Sequence, residues 1–465
     1  MRIVLFVLLF LGSAAAAQVP HVNWENHPTR ALDLSPDRRT LAVANSADAR
    51  VQLFDVSEGS PVPIGHVKVG IDPVSVRFRT DSELWVANHI SDSVSIVDID
   101  QRTIIATLAT LDEPADIVFA GSPQRAFVSC SQANTIQVFD PMNLALAPEA
   151  IAINAEDPRA LVASPDGSRV YVAIFESGNA TTVLGGGIED FDVLNYPPNV
   201  TRRANTPHGG QNPPPNDSAV FFPPMNADLP AAPRTGLIVR KDAQGRWMDD
   251  NSGDWSNFVS GGLAFQSGRL RGWDLPDRDI AIIDADTLSV DYTRSLMNIG
   301  MAIGFNPGTS EVTMVGTDAI NEVRFEPVLN GRFLRVNLAR VAASGGEGTV
   351  SDLNPHLDYT GSTVPLEQRR QSIGDPRAIV WNADGSRGYV VGLGSNNVIA
   401  IDAQGGRVGQ PLTVGEGPAG LAIDPARERL YVWNHFEATL STIDTDSWSE
   451  LGREAVFNPL PSAIV

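Results

Sequence analysis

Three of the seven histidines in this 465-residue chain occupy matching places. His89 and His435 each follow an asparagine that ends an apolar run, Asn88 and Asn434, and His27 stands directly before Pro28. Imidazole nitrogen is a borderline ligand, so three such groups brought together would suit a divalent metal. Their spacing forms no metal motif, and three hydrogen-bonded surface histidines are the plain alternative.

Two further groupings have chemical potential. Asp157-Pro158-Arg159 and Asp375-Pro376-Arg377 repeat an acid, a proline and a guanidinium. The acid and base can fix a turn by pairing with each other, or Arg159 and Arg377 can hold a ligand carboxylate through a two-pronged contact. The run Asp249-Asp250-Asn251-Ser252-Gly253-Asp254 sets carboxylate and amide oxygens around a glycine bend. Oxygens of Asp249, Asn251 and Asp254 suit calcium, although the distal glutamate of an EF-hand loop is missing, and a polar loop explains the same residues. The chain has no nucleophile elbow, phosphate loop, paired zinc motif or C-x-x-C-H haem attachment. Gly185-Gly186-Gly187 reads as a linker, because no helix follows to build an anion site.

The elements that must position these residues recur down the chain. Leu84-Trp85-Val86-Ala87-Asn88 runs to Val94-Ser95-Ile96-Val97-Asp98, and Leu430-Tyr431-Val432-Trp433-Asn434 runs to Leu440-Ser441-Thr442-Ile443-Asp444. Weaker copies begin at Leu41, Ala126 and Gly388. Each copy follows an acid-Pro or Gly-Pro step, such as Asp72-Pro73, Glu113-Pro114 or Gly417-Pro418. Uninterrupted, the period is about 41–45 residues, the length of one four-stranded propeller blade. Turns such as Ser35-Pro36-Asp37, Ser164-Pro165-Asp166-Gly167 and Asn382-Ala383-Asp384-Gly385 supply the tight A–B corners.

One such blade cannot bury both faces, so blades must stack around an axis and close. The expected fold is all-β, a seven-bladed propeller of four-stranded antiparallel blades, with eight blades as the alternative count. Repeats begin near His27, Ile71, Asp112, Glu156, Gly300, Gly374 and Glu416. Blade four carries an insertion over residues 178–277, rich in Pro, Gly and Asn. Its later half holds Trp247, Trp255, Phe258, Phe265 and Trp273, too many large apolar groups for a solvated linker. The stretch 342–373, with His356 and Tyr359, reads as a long D–A connection. Both additions fall on the face of the B–C and D–A connections, where they would build a cap.

These repeats resemble the bacterial YVTN-type seven-bladed propeller family, over nearly all of the chain after residue 17. The resemblance implies the fold; the roles such propellers serve range over surface proteins, binding modules, lactonase-like enzymes and dehydrogenase subunits. Some bacterial proteins similar to this one continue past the last blade into a c-type cytochrome region, which implies a redox partner. Haem cannot be assigned here, because the attachment motif is absent.

Composition narrows the setting. Arg2, an apolar run over residues 3–11 and Ala15-Ala16-Ala17 before Gln18 read as a secretory signal peptide, residues 1–17, leaving 18–465 as propeller in the periplasm or outside the cell. No second apolar stretch approaches a membrane span. A net charge of -21 disfavours nucleic acid and anionic membranes, and leaves basic proteins, cations and neutral ligands. The single cysteine, Cys130, stands where other repeats have asparagine, so no intrachain disulfide can form. The end of the chain, from Asn458-Pro459 to Val465, repeats the start of a further unit; it either closes the ring against residues 22–24 or marks a cut.

Two functions fit. The first is an exported binding scaffold that docks a protein or redox partner, a c-type cytochrome among the candidates, on the built-up face. The alternative is a lactonase-like or dehydrogenase-like propeller enzyme, with a divalent metal or substrate held in the funnel by His27, His89, Arg159, Arg377 and His435. A surface-layer role is a third reading.

Overall fold

The computed structural model describes residues 28–184, 204–207, 209, 237–249, 252–267, 271–272, 274–325, 330–357 and 364–459. Among them the strands form seven four-stranded antiparallel sheets and one three-stranded sheet. Blade two shows the plan: Pro73–Phe78, Glu83–Asn88, Ser93–Asp98 and Thr103–Ala109 are strands A to D in both chain and spatial order. The seven A strands are Leu32–Leu34, Pro73–Phe78, Pro114–Ala120, Glu156–Ala163, Ile299–Asn306, Pro376–Trp381 and Pro418–Asp424. Each lies beside the next and the last returns to the first, so the sheets close around an axis.

Strand geometry explains why the repeated phrase is almost wholly apolar. Successive side chains point to opposite faces of a sheet, and in a ring both faces are covered. Leu84 and Val86 pack toward blade one with Ala42, Ala44 and Leu53. Trp85 and Ala87 pack toward blade three with Ile117, Val128 and Cys130. The same alternation produces an apolar cluster at each of the seven seams. At the closing seam Tyr431 and Trp433 of blade seven meet Leu32, Leu41 and Phe54 of blade one. Tyr431 Oη donates to Gly59 O at 3.1 Å and Asn45 Nδ2 donates to Phe457 O at 2.6 Å across that seam.

Polar residues of the repeat shape its turns. Asn88 Nδ2 reaches Ser95 Oγ at 3.0 Å, and Asn434 Nδ2 reaches Ser441 Oγ at 2.8 Å, tying the end of strand B to strand C. Cys130 takes this place in blade three, with Sγ 3.4 Å from Gln137 Oε1, and burial pushes its thiol up to about 12. It is therefore a protonated core side chain at neutral pH. Asp284 and Asp444 end C strands and accept the turn N–H groups of Thr287 and Ser447, each at 2.8 Å. Those hydrogen bonds hold both carboxyls below their ordinary range.

Blades four and five depart from the plan. In blade four the chain leaves after strand B, Arg169–Glu176, and returns at strand C, Ile280–Asp284. The two ends of the excursion meet where Gly178 N donates to Pro276 O at 2.9 Å. In blade five, strand B is Glu311–Phe325 and strand C is Asn330–Ala342, 15 and 13 residues against 6 in most B strands. This corrects the sequence reading of 342–373 as a connection: Ala342 ends strand C, Thr349–Asp352 is strand D, and the D–A connection is 353–375. The long hairpin moved the D strand away from the place the period assigns it. His356 in that connection lies 3.0 Å from Gln368 O and 3.1 Å from Ser372 Oγ through Nε2. Tyr359 lies outside the described residues.

Asp279, fully buried, marks the return of the excursion into blade four. Its carboxylate accepts from Leu296 N at 2.9 Å and Met297 N at 3.3 Å, but burial dominates and pushes its pKa to about 7. The folded protein thus keeps a proton that the unfolded chain releases near 3.8. Stability falls as pH rises through that window, by on the order of 3–4 kcal/mol when fully developed. Asp279→Asn is expected to flatten the dependence, with a higher midpoint than wild type at about pH 8 and little gain at about pH 4. Denaturant melts of both proteins across that range check this, and parallel pH profiles would refute it. Trp433→Ala opens a cavity in the closing seam and is expected to cost about 3–5 kcal/mol in the same melts.

Candidate functional site

The face of the B–C and D–A connections is organised by the acid-Pro steps. Asp72, Glu113, Asp157, Asp375 and Gly417 precede the A-strand prolines with φ of 60°, 57°, 59°, 53° and 66°. A left-handed residue turns the chain sharply inward from the outer D strand, and proline then begins strand A without needing a donor. The carbonyl of the turned residue accepts from the first residue beyond strand B: His89 N reaches Asp72 O and His435 N reaches Gly417 O, both at 2.8 Å. His89 and His435 are therefore held at equivalent stations on blades two and seven.

Their imidazoles have separate surroundings. His89 is buried, with Nδ1 3.3 Å from Pro114 O and Nε2 3.5 Å from Glu113 Oε2. His435 meets Trp433 edge-on at 6.1 Å between ring centres and lies 5.6 Å from Phe436. His27 lies outside the described residues. Among the described residues no three His, Cys, Asp or Glu side chains gather to hold a metal.

Arg159 and Arg377 brace their own steps. Arg159 donates from Nε to Asp157 Oδ1 at 2.8 Å, and Nη2 lies 2.7 Å from Oδ2, a two-pronged pair. Its guanidinium also lies 4.0 Å from the centre of the Phe175 ring. Arg377 Nε lies 2.8 Å from Asp375 Oδ1. Each pair ties strand A to the left-handed residue that starts it.

The excursion is built around a three-stranded sheet of Thr181–Leu184, Leu237–Lys241 and Trp247–Met248. Leu184, Leu237, Val239, Trp247, Trp255 and Phe258 form its own apolar cluster. Asp249 supports it: Oδ1 accepts from Gly253 N and Oδ2 from Trp255 Nε1, both at 2.8 Å. Asp254 Oδ1 accepts from Ser256 N at 2.9 Å and Ser256 Oγ at 2.6 Å, which lower its pKa. Both carboxylates thus close the turns around the sheet, and Asn251 lies outside the described residues. The sheet is tied to blade five by Asp318, whose carboxylate takes Asn179 Nδ2 at 2.6 Å and Arg240 Nη2 at 2.9 Å. Sequence reasoning passed over Asn179, Arg240 and Asp318, since nothing in their spacing predicts that residues 139 apart share a contact.

A second polar group sits inside the ring and was also overlooked. Asp116, fully buried, accepts from Ser75 Oγ at 2.6 Å and Leu161 N at 2.8 Å, and lies 3.4 Å from Arg30 Nε. Arg30 Nη2 donates to Leu161 O at 2.8 Å. Arg77 donates from Nε to Ile117 O at 3.0 Å, and its Nη1 lies 3.6 Å from Asp33 Oδ1. A charged residue inside an otherwise apolar A strand, such as Arg77 in Val74-Ser75-Val76-Arg77-Phe78, is the signal that would have found this group.

Comparisons with known proteins bear on the fold. No protein-family model matches the chain. The seven-bladed beta-propeller protein Rv1057 of Mycobacterium tuberculosis is 30% identical over 169 residues, 34% of this chain and 42% of that protein. The chain therefore matches less than half the length of this curated relative. The solved hydrazine synthase of Kuenenia stuttgartiensis is similar at a TM-score of 0.58 and 17% identity, covering 92% of this chain and 98% of that one. A dihydro-heme d1 dehydrogenase, NirN, is similar at a TM-score of 0.45 and 11% identity, covering 92% of this chain and 66% of its own. At 17% identity the likeness to the hydrazine synthase speaks to the fold alone. With seven four-stranded sheets, seven apolar seams and a closed circuit of inner strands among the described residues, the chain is a seven-bladed β-propeller.

Proposed function

We propose that this propeller is an exported scaffold that docks a protein partner of the c-type cytochrome class on its B–C and D–A face. In this reading residues 1–17 are a signal peptide, 18–465 are a propeller of YVTN-type repeats, and 178–277 form the cap of the dock. The carrying observation is the contrast between the two faces. Corners on the A–B and C–D side are short turns closed by their own side chains, as Asp166 and Asp384 are by Ser168 and Ser386. The other side bears a sheet with its own apolar core, anchored to a lengthened hairpin through Asp318. Such a core is not needed to close the ring, which the seven seams already do.

Charge supports the class of partner. A net charge of -21 favours encounter with a basic surface and makes association sensitive to salt. No helix among the described residues is long and apolar enough to cross a membrane.

The ends of the excursion meet at Gly178 and Pro276, so residues 179–275 can be replaced by a short glycine linker without opening blade four. The shortened protein is expected to keep its β-sheet circular dichroism and cooperative melt. Binding of a basic c-type cytochrome, followed by calorimetry at low ionic strength, should fall at least about tenfold, and wild-type affinity should decline with added salt. Equal binding by the folded, shortened protein would reject the cap as the dock. Absence of any cytochrome binding by wild type would reject the partner class.

A further inference from the structure

The opposite mouth of the ring carries a feature that the docking reading leaves unused. On the A–B side the axis opens into a cavity of about 320 Å³ between blades one, two, six and seven. Deeper along the axis lies a second, smaller pocket of about 10 Å³, walled by residues such as Ala160, Ala302 and Gly420. The larger cavity is entered past Pro36 and Arg38 at the exposed corner of blade one.

Its wall combines two guanidinium groups with an apolar lining. Arg30 and Arg77 are 17% and 19% exposed; Arg30 donates from Nε and Nη2, and Arg77 donates from Nε while its Nη1 lies 3.6 Å from Asp33 Oδ1. Nη1 of Arg30 and Nη2 of Arg77 have no acceptor among the described residues. The two side chains are anchored rather than free to swing. Arg30 N donates to Val74 O at 3.1 Å and Val76 N to Arg30 O at 3.0 Å, which locks the lead-in of blade one against strand A of blade two. Leu32, Leu34, Leu421 and Ile423 supply the apolar part of the wall.

The lining carries three guanidinium groups, Arg30, Arg38 and Arg77, and one carboxylate, Asp33, with Asp116 behind Arg30 and Asp37 beside Arg38 at the mouth. Guanidinium groups that outnumber the carboxylates of the lining favour an anionic group. Planar guanidinium groups match a carboxylate through parallel N–H donors, and the leucine and isoleucine side chains match a hydrocarbon body. The volume lies at the lower end of small-molecule sites. Burial and the charge of Arg30 both lower the pKa of Arg77, a strain that a bound anion relieves.

We propose that this cavity is a binding site for a small monocarboxylate with an apolar body, its carboxylate held by Arg30 and Arg77. The site is distinct from the Arg159 and Arg377 steps, which lie at the other end of the A strands. It does not depend on the docking reading.

Isothermal titration of the full chain with sodium hexanoate tests it, with inorganic phosphate as the second titrant. Wild type is expected to bind hexanoate saturably and to bind phosphate more weakly. Arg77→Gln should weaken hexanoate at least about tenfold while Arg159→Gln, on the opposite face, leaves it unchanged. Arg38→Glu changes an exposed residue at the mouth and should weaken hexanoate in the same direction, which keeps the test open if Arg77→Gln fails to fold. Unsaturable hexanoate uptake by folded wild type, or hexanoate binding untouched by Arg38→Glu and by a folded Arg77→Gln, would overturn the site. Phosphate binding tighter than hexanoate would overturn the monocarboxylate assignment.

Discussion

The packing of one sheet face against the next is the interaction on which the rest of this structure depends. A four-stranded blade has two apolar faces, and a soluble arrangement exists only when every face finds a partner. Seven seams satisfy that condition here, each with its own cluster of Val, Ile, Leu, Ala and an occasional aromatic group. The closing seam includes large side chains, Trp433 and Tyr431, with Phe54 opposite. Among the described residues all four strands of blades one and seven come from contiguous chain, and the contacts across this seam are side-chain packing and hydrogen bonds such as Tyr431 to Gly59 and Asn45 to Phe457.

Once the seams hold the ring, the corners at its two ends are free to differ. On the A–B and C–D side, aspartates accept turn N–H groups and keep the loops short, as Asp284 and Asp444 do. On the other side, the left-handed acid before each proline sets the entry to strand A, and the excursion of blade four can leave and return at almost the same point. That geometry explains how a long segment is accommodated without disturbing strands B and C, whose pairing from Arg169↔Asp284 to Ala173↔Ile280 is unbroken. Asp279 is buried where the returning chain enters strand C of blade four, against the connection that leads to blade five.

The inner strands do more than line an axis. Asp116 gathers Ser75, Leu161 and Arg30 from different parts of the ring, so its carboxylate joins three blades and the lead-in to the first. A buried carboxylate is tolerated only when its oxygens are filled, and these contacts fill them. The arginines that share the network are then fixed in the channel wall, where the two ends of the axis become chemically different. One end bears paired acid-arginine steps and the excursion; the other bears a cavity lined by Arg30, Arg38 and Arg77 beside Asp33.

How far the sequence could be read is clearest at particular residues. Leu84-Trp85-Val86-Ala87-Asn88 and its copies determined the blade and the two buried faces, because strand alternation and turn preference are local properties that each copy states again; seven rather than eight blades was decided by the folded sheets. The acid-Pro-Arg steps were visible as a repeat for the same reason, with a braced turn and a ligand-holding arginine both compatible with the sequence. Blade five was misread, because its B and C strands lengthen into a hairpin and the period no longer marks strand D. The contacts of Asp318 with Asn179 and Arg240, the gathering around Asp116, and the pairing of Arg30 with Arg77 in one cavity were decided only by tertiary structure. Residues distant in sequence become neighbours when the ring closes, and closure is a property of all seven seams together rather than of any one repeat.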